Sequence, residues 1–210
     1  MSASRTVALV LATLAAAGCS SSGPTTATPT STTQVTTPSP TASAVPGQSA
    51  VPAEKNPPGD IPDNLAFVPY TNASGHYRFT HPEGWAESVN GARVLFTDKL
   101  NGVTAEPGTA TSAPTVSDAN SKDVPELRRT QAAFEVRSVT AASVPGGSGV
   151  RIVYRRNSAP DAVTGRQYRD EVERFELVSN GREVVLEMYG PVGADNVDAY
   201  RAMVQSLRIT

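Results

Sequence analysis

The 210-residue chain has one cysteine, two histidines and one tryptophan, and charged residues make up only 18% of it. Each scarcity removes a class of chemistry. A single thiol cannot form an internal disulfide, so a packed core has to hold the fold. His76 and His81 lie five residues apart on an expected strand and point to opposite faces, which suits neither one shared metal nor a Ser/His/acid triad. With Lys+Arg 18 against Asp+Glu 20, the formal net charge of −2 argues against a nucleic-acid-binding surface. Arg5 is the only charge before residue 54. The apolar run Thr6–Ala17 is about twelve residues, too short to span a bilayer core of ~30 Å as a helix.

That run matches the apolar region of a secretory signal, with Arg5 ahead and small residues behind. Gly18-Cys19 follows Ala16-Ala17 and resembles a bacterial lipobox, in which cleavage falls before the cysteine and the thiol carries a diacylglycerol. The pattern prefers Leu three residues before Cys; here Ala16 stands there, and Leu14 lies five before. Cys19 is the only cysteine, and lipidation gives it a use that disulfide pairing cannot. Two acyl chains hold a protein firmly on a membrane. With Cys19 acylated, thiol catalysis, Cys-ligated zinc and iron–sulfur clusters are excluded. Residues 1–18 thus read as a signal peptide.

Residues 20–53 are uncharged and almost entirely Ser, Thr, Pro, Ala and Gly. They have no aromatic residue to anchor a core, so ordering them would cost entropy with little return. The expectation is a lipidated Cys19 with a disordered tether over 19–62, spanning roughly 32–39 Å as a flexible coil. The Ser/Thr/Pro composition also suits O-glycosylation.

Residues 63–210 read as one folded domain. Strands are expected at Leu65–Tyr70, His76–His81 with Tyr77 and Phe79 inward, Phe134–Ala142, and Val150–Arg155 with Ile152 and Tyr154 inward. Asn90-Gly91 predicts a type I′ hairpin, Asn101-Gly102 a second turn, and Asn180-Gly181 a hairpin between Arg169–Ser179 and Arg182–Tyr189. Residues 105–120 read as loop. A short helix starts near Asp123, as N-cap, with Pro125 in its first turn. The final helix is capped by Asp195 or Asn196, with Val197, Tyr200, Val204 and Leu207 as its apolar stripe. Many antiparallel strands and few helices make an α+β fold.

Tyr77-Arg-Phe-Thr-His-Pro-Glu-Gly-Trp85 resembles PsbP-like domains. Asp161-Ala-Val-Thr-Gly165, Arg169-Asp-Glu-Val-Glu-Arg-Phe175, Gly190-Pro-Val-Gly-Ala-Asp-Asn-Val-Asp198 and the closing helix resemble actinobacterial LpqN-type lipoproteins. The resemblance covers about residues 64–210. It implies an α/β/α sandwich with a central antiparallel sheet, shared with Ran-binding Mog-type proteins, and a non-enzymatic binding or accessory role with no catalytic residue and no cofactor.

The remaining candidates have ordinary structural explanations beside functional ones. Glu171, Glu173 and Glu176 lie among Arg169, Arg174 and Arg182; two of the carboxylates could in principle serve a glycosidase, while cross-strand charge pairing on a solvent face is their ordinary explanation. His81 with Glu83 could form a metal pair. Ser148, in Gly-Gly-Ser-Gly, does not match the nucleophile elbow. Trp85 could stack on a ligand or plug the core. Asp195, Asn196 and Asp198 could hold calcium or cap the helix. Asn72-Ala-Ser74 matches a glycosylation sequon. The expected function is a lipid-anchored, extracytoplasmic envelope protein whose domain binds a protein or envelope partner. The alternatives are a carrier of a lipophilic ligand in a sheet–helix cleft of ~300 Å³ or more, and a wall-glycan hydrolase.

Overall fold

A computed structural model describes residues 47–210. The signal segment, Cys19 and the tether through residue 46 lie outside the described residues. The elements run β1 (Phe67–Asn72), β2 (Tyr77–Pro82), β3 (Ala86–Asn90), β4 (Arg93–Asp98), β5 (Asn101–Pro107), α1 (Val116–Ser121), α2 (Asp123–Thr130), β6 (Glu135–Val144), β7 (Gly147–Asn157), β8 (Arg169–Ser179), β9 (Arg182–Pro191), α3 (Val197–Ser206) and β10 (Arg208–Ile209). Seven strands form an antiparallel sheet in the order β3-β4-β5-β9-β8-β7-β6, and β1-β2-β10 form a small antiparallel sheet. This is the expected α+β sandwich, with one addition: the small sheet shares an outer layer with α3.

Period-2 alternation divides the core in two. On β8 and β9, Phe175, Leu177, Val184, Leu186 and Met188 face the small sheet and α3, where Tyr77, Phe79, Met203 and Leu207 meet them. Val172 on β8 joins Val150, Ile152 and Tyr154 on the opposite face, under Ala119, Val124 and Leu127 of α1 and α2. Each fully buried large apolar side chain stabilises the fold by about 1.5–3 kcal/mol. The Tyr77 hydroxyl lies 2.9 Å from the carbonyls of both Ala92 and Ala105, joining the small sheet to the large one.

Turn chemistry refines several sequence expectations. Asn180 and Gly181 both have positive φ, 53° and 72°, as a type I′ turn requires. At the first hairpin Asn90 pairs with Arg93, so Gly91-Ala92 form the turn and Gly91 takes the positive φ of 60°. That pattern is type II′, not I′. Asn101-Gly102 is not a turn: both lie in β5, and the chain reverses at Lys99-Leu100, with Lys99 at φ 51°. The segment 105–120 is not all loop. It ends β5 and contains α1, nucleated by Thr115 and Asp118 in a reciprocal capping box. Asp123 is the first residue of α2, and Lys122 is its cap. In α3, Val197 is 58% exposed, and Met203 supplies the buried contact in its place.

The packed chain begins earlier than its composition suggests. Residues 48–61 form no helix or strand, yet they are tied to the domain. Asn157 Nδ2 donates to Ser49 O at 2.8 Å, and its Oδ1 accepts from Val51 N at 3.0 Å. Asn101 Nδ2 donates to Gly59 O at 2.7 Å, and Asn196 Oδ1 accepts from Ile61 N at 2.8 Å. Glu54 pairs with Arg166, and Ile61 enters the core. The expected boundary at 62/63 is therefore corrected. The stretch contributes few side chains, but its backbone groups find partners on three buried asparagines far along the sequence.

Candidate functional site

The strongest concentration of perturbed ionisable groups lies on the α1/α2 side of strands β7, β8 and β9. Residues alternate across a strand, so Arg156, Asp170, Arg174, Glu176 and Glu187 share a face with Tyr154 and Tyr189. Glu187 sits at the centre. Its Oε1 lies 3.1 Å from Arg156 Nη1, and its Oε2 lies 3.4 Å from Arg174 Nη1 and accepts from the Tyr154 hydroxyl at 3.0 Å. Arg174 Nε reaches Glu176 Oε1 at 2.7 Å. Arg156 also donates to Gln131 Oε1 and stacks over the Tyr189 ring, 5.0 Å from its centroid.

Burial sets the protonation states. It opposes the charge on Glu187, but Arg156 and Arg174 outweigh it and hold the carboxyl below its ordinary range. Burial likewise opposes the charge of both guanidiniums, and Glu187 holds them above theirs. Asp170 differs. Arg156 Nε is 3.8 Å from its Oδ2, beyond hydrogen-bond length, because Arg156 is committed to Glu187. Burial therefore dominates and pushes Asp170 from 3.8 to about 7. At 2% exposure Asp170 cannot touch a substrate. The cluster ties β7, β8 and β9 together across one face of the sheet.

The three candidate glutamates do not converge on one site. Glu171 and Glu173 face the α3 side, whereas Glu176 faces α1 and α2. Each holds an arginine: Arg155 at 2.9 Å, Arg151 at 2.8 Å and Arg174 at 2.7 Å respectively. Arg182 instead reaches the Thr210 carbonyl, and Arg169 reaches Glu135. His76 is exposed in the β1–β2 turn. His81 is buried, with its ring stacked on Phe96 at 3.6 Å and its Nδ1 3.0 Å from Pro82 O, while Glu83 is exposed. Burial lowers the His81 pKa. Ser148 is exposed on β7 opposite Ser143. Trp85 is a core residue at 7% exposure.

Asp195, Asn196 and Asp198 diverge. The Asp195 backbone N–H donates to Asp60, Asn196 donates to Asn101, and Asp198 pairs with Arg201. Asn196 caps α3 by position only, since its side chain is used on Ile61 and Asn101. Asn72 is buried, and its Oδ1 accepts from Ser74 Oγ and Gly75 N, which occupies the sequon asparagine in a turn.

A groove of about 260 Å³ opens on the outer face of the small sheet, beside Pro69, Thr71, Arg78, Thr80, Ser206 and Arg208. Two arginines and three hydroxyls share its lining with apolar surface, and its volume falls below the ~300 Å³ or more expected of a cleft for a lipophilic ligand. The sequence reading missed both the groove and the buried cluster. The alternation of Arg174 and Glu176 with Phe175 and Leu177 was the available signal for the cluster.

No family model matches the chain, and no curated protein matches it. Among solved structures, it is similar to the Ran-binding protein Mog1p of Saccharomyces cerevisiae, at 9% identity and a TM-score of 0.46, covering 70% of this chain and 96% of that one. It is similar to the cyanobacterial PsbP (CyanoP) of Synechocystis sp., at 16% identity and a TM-score of 0.47, covering 74% and 100%. It is also similar to LpqN of Mycobacterium tuberculosis, described as involved in cell envelope biogenesis, at 13% identity and a TM-score of 0.42, covering 70% and 92%. No activity or partner is transferred from these likenesses.

Proposed function

We propose that this chain is an LpqN-type lipoprotein, held on the extracytoplasmic face of the cell membrane by a diacylglycerol on Cys19. Its sandwich domain binds a protein or envelope partner and catalyses no reaction. The observation that carries this reading is the condition of the carboxylates a hydrolase would need. Glu171, Glu173 and Glu176 are each committed to an arginine and divided between two faces of the sheet. A general acid and base pair must instead flank one scissile bond. The anchor rests on the sequence alone: Arg5, a short apolar run, then Ala16-Ala17-Gly18-Cys19. Among the described residues no helix is long and apolar enough to cross a membrane.

Two measurements test the reading. In membrane fractionation, Cys19→Ala should move the protein from the membrane to the soluble fraction; retention equal to wild type overturns the anchor. In native mass spectrometry of protein gently solubilised from its own membranes, a stoichiometric protein partner supports the binding role. Turnover of wall glycan that Glu171→Gln or Glu173→Gln abolishes overturns it.

A further inference from the structure

Arg78 on β2 and Arg208 on β10 are register partners across an antiparallel pair. Directly opposed residues on one sheet face have Cβ atoms about 4.5–5.5 Å apart, and like charges there repel. Most other sheet arginines are given a carboxylate, as Arg93 holds Glu106, Arg151 holds Glu173 and Arg155 holds Glu171, and Arg182 has the Thr210 carbonyl. Among the described residues no Asp or Glu lies within 4.0 Å of Arg78 or Arg208, and residues 1–53 contain none. Arg208 has a local role, since its Nη1 donates to the carbonyls of Gln205 at 2.9 Å and Leu207 at 2.6 Å at the end of α3. That role fixes the Arg208 guanidinium in place and leaves the cation opposite it unexplained.

Both arginines line the 260 Å³ groove, with Thr71 and Thr80 along its wall and exposed Pro69 as apolar surface, while Tyr70 and Phe79 turn their side chains to the core beneath it. Ser206 secures the groove's helical side: its hydroxyl donates to Met203 O at 2.7 Å and accepts from Thr80 N at 2.8 Å. We propose that this groove binds a phosphate monoester. Two guanidiniums match a dianion in charge, and each planar fork can give paired N–H···O bonds to phosphate oxygens. A single carboxylate would neutralise one arginine and leave the other facing it. Exposed Pro69 gives the small organic remainder of the ester an apolar surface to lie against. The same chemistry is offered by a soluble polyol phosphate and by the headgroup of phosphatidic acid.

The test uses the full chain. Isothermal titration with glycerol 3-phosphate is made on wild type, Arg78→Gln, Arg208→Gln and Arg182→Gln. Flotation of the Cys19→Ala chain with phosphatidylcholine vesicles, with and without phosphatidic acid, forms the second arm. Saturable binding weakened at least tenfold by Arg78→Gln or Arg208→Gln, and unchanged by Arg182→Gln, is the expected result, with unaltered melting temperatures as the fold control. Glycerol 3-phosphate binding without vesicle binding assigns a soluble ester; binding only to phosphatidic acid vesicles assigns a headgroup. No saturable binding in either arm overturns the proposal. So does binding that Arg78→Gln leaves intact, or equal competition by succinate.

Discussion

Asp170 gives the sharpest test of the electrostatic reasoning. It is 2% exposed, and its nearest cation, Arg156, is 3.8 Å away and bound to Glu187. Burial raises its pKa from 3.8 to about 7, so between those values the native state holds a proton that the unfolded chain has released. Stability from this group is then fully present below pH ~4 and is lost as pH rises through 7. At about 1.4 kcal/mol per tenfold change in proton affinity, the full loss is roughly 4 kcal/mol, an upper bound. Asp170→Asn removes the titration while keeping the shape of the protonated acid. Its stability relative to wild type, from urea unfolding at half-unit steps from pH 4 to 8, should start near zero and rise by several kcal/mol. His81, whose pKa burial lowers, gives a slope of opposite sign as pH falls below its ordinary 6.5, and the comparison with wild type cancels it. A constant difference across the range would refute the raised pKa.

Three further outcomes follow from the packing. Arg156→Met leaves Asp170 and Glu187 without their shared cation and should cost about 3–5 kcal/mol, read as a fall in the denaturation midpoint; a change below 1 kcal/mol would show the cluster to be dispensable. Asn196→Ala removes the acceptor for Ile61 N and the donor to Asn101, so it should cost roughly 1–3 kcal/mol and speed proteolysis within residues 54–60; an unchanged cleavage rate would show that this contact does not hold the segment. Glu171→Gln and Glu173→Gln break part-exposed pairs with Arg155 and Arg151, and each should shift stability by no more than about 1 kcal/mol; a larger loss in thermal unfolding would show that these pairs are not simple surface bridges.

The sequence by itself carried the parts of this protein that depend on local pattern. Alternation placed Tyr77, Phe79, Ile152 and Tyr154 inward, and Asn180-Gly181 set the β8–β9 hairpin, because strand period and turn dihedrals are properties of neighbouring residues. The strand count and the capping region of α3 gave the α+β class for the same reason. The signal and tether readings for residues 1–46 remain sequence readings alone. What only the tertiary structure decided depends on groups brought together from far apart. Asn157 lies 108 positions from Ser49, and Asn196 lies 135 from Ile61, so composition alone assigned residues 48–61 to the tether. Glu187 meets Arg156 across an intervening strand and diverts it from Asp170. Arg78 and Arg208 come into register only when the end of the chain returns to β2. A linear sequence records which charges exist, but desolvation and pairing are set by the distances that folding creates.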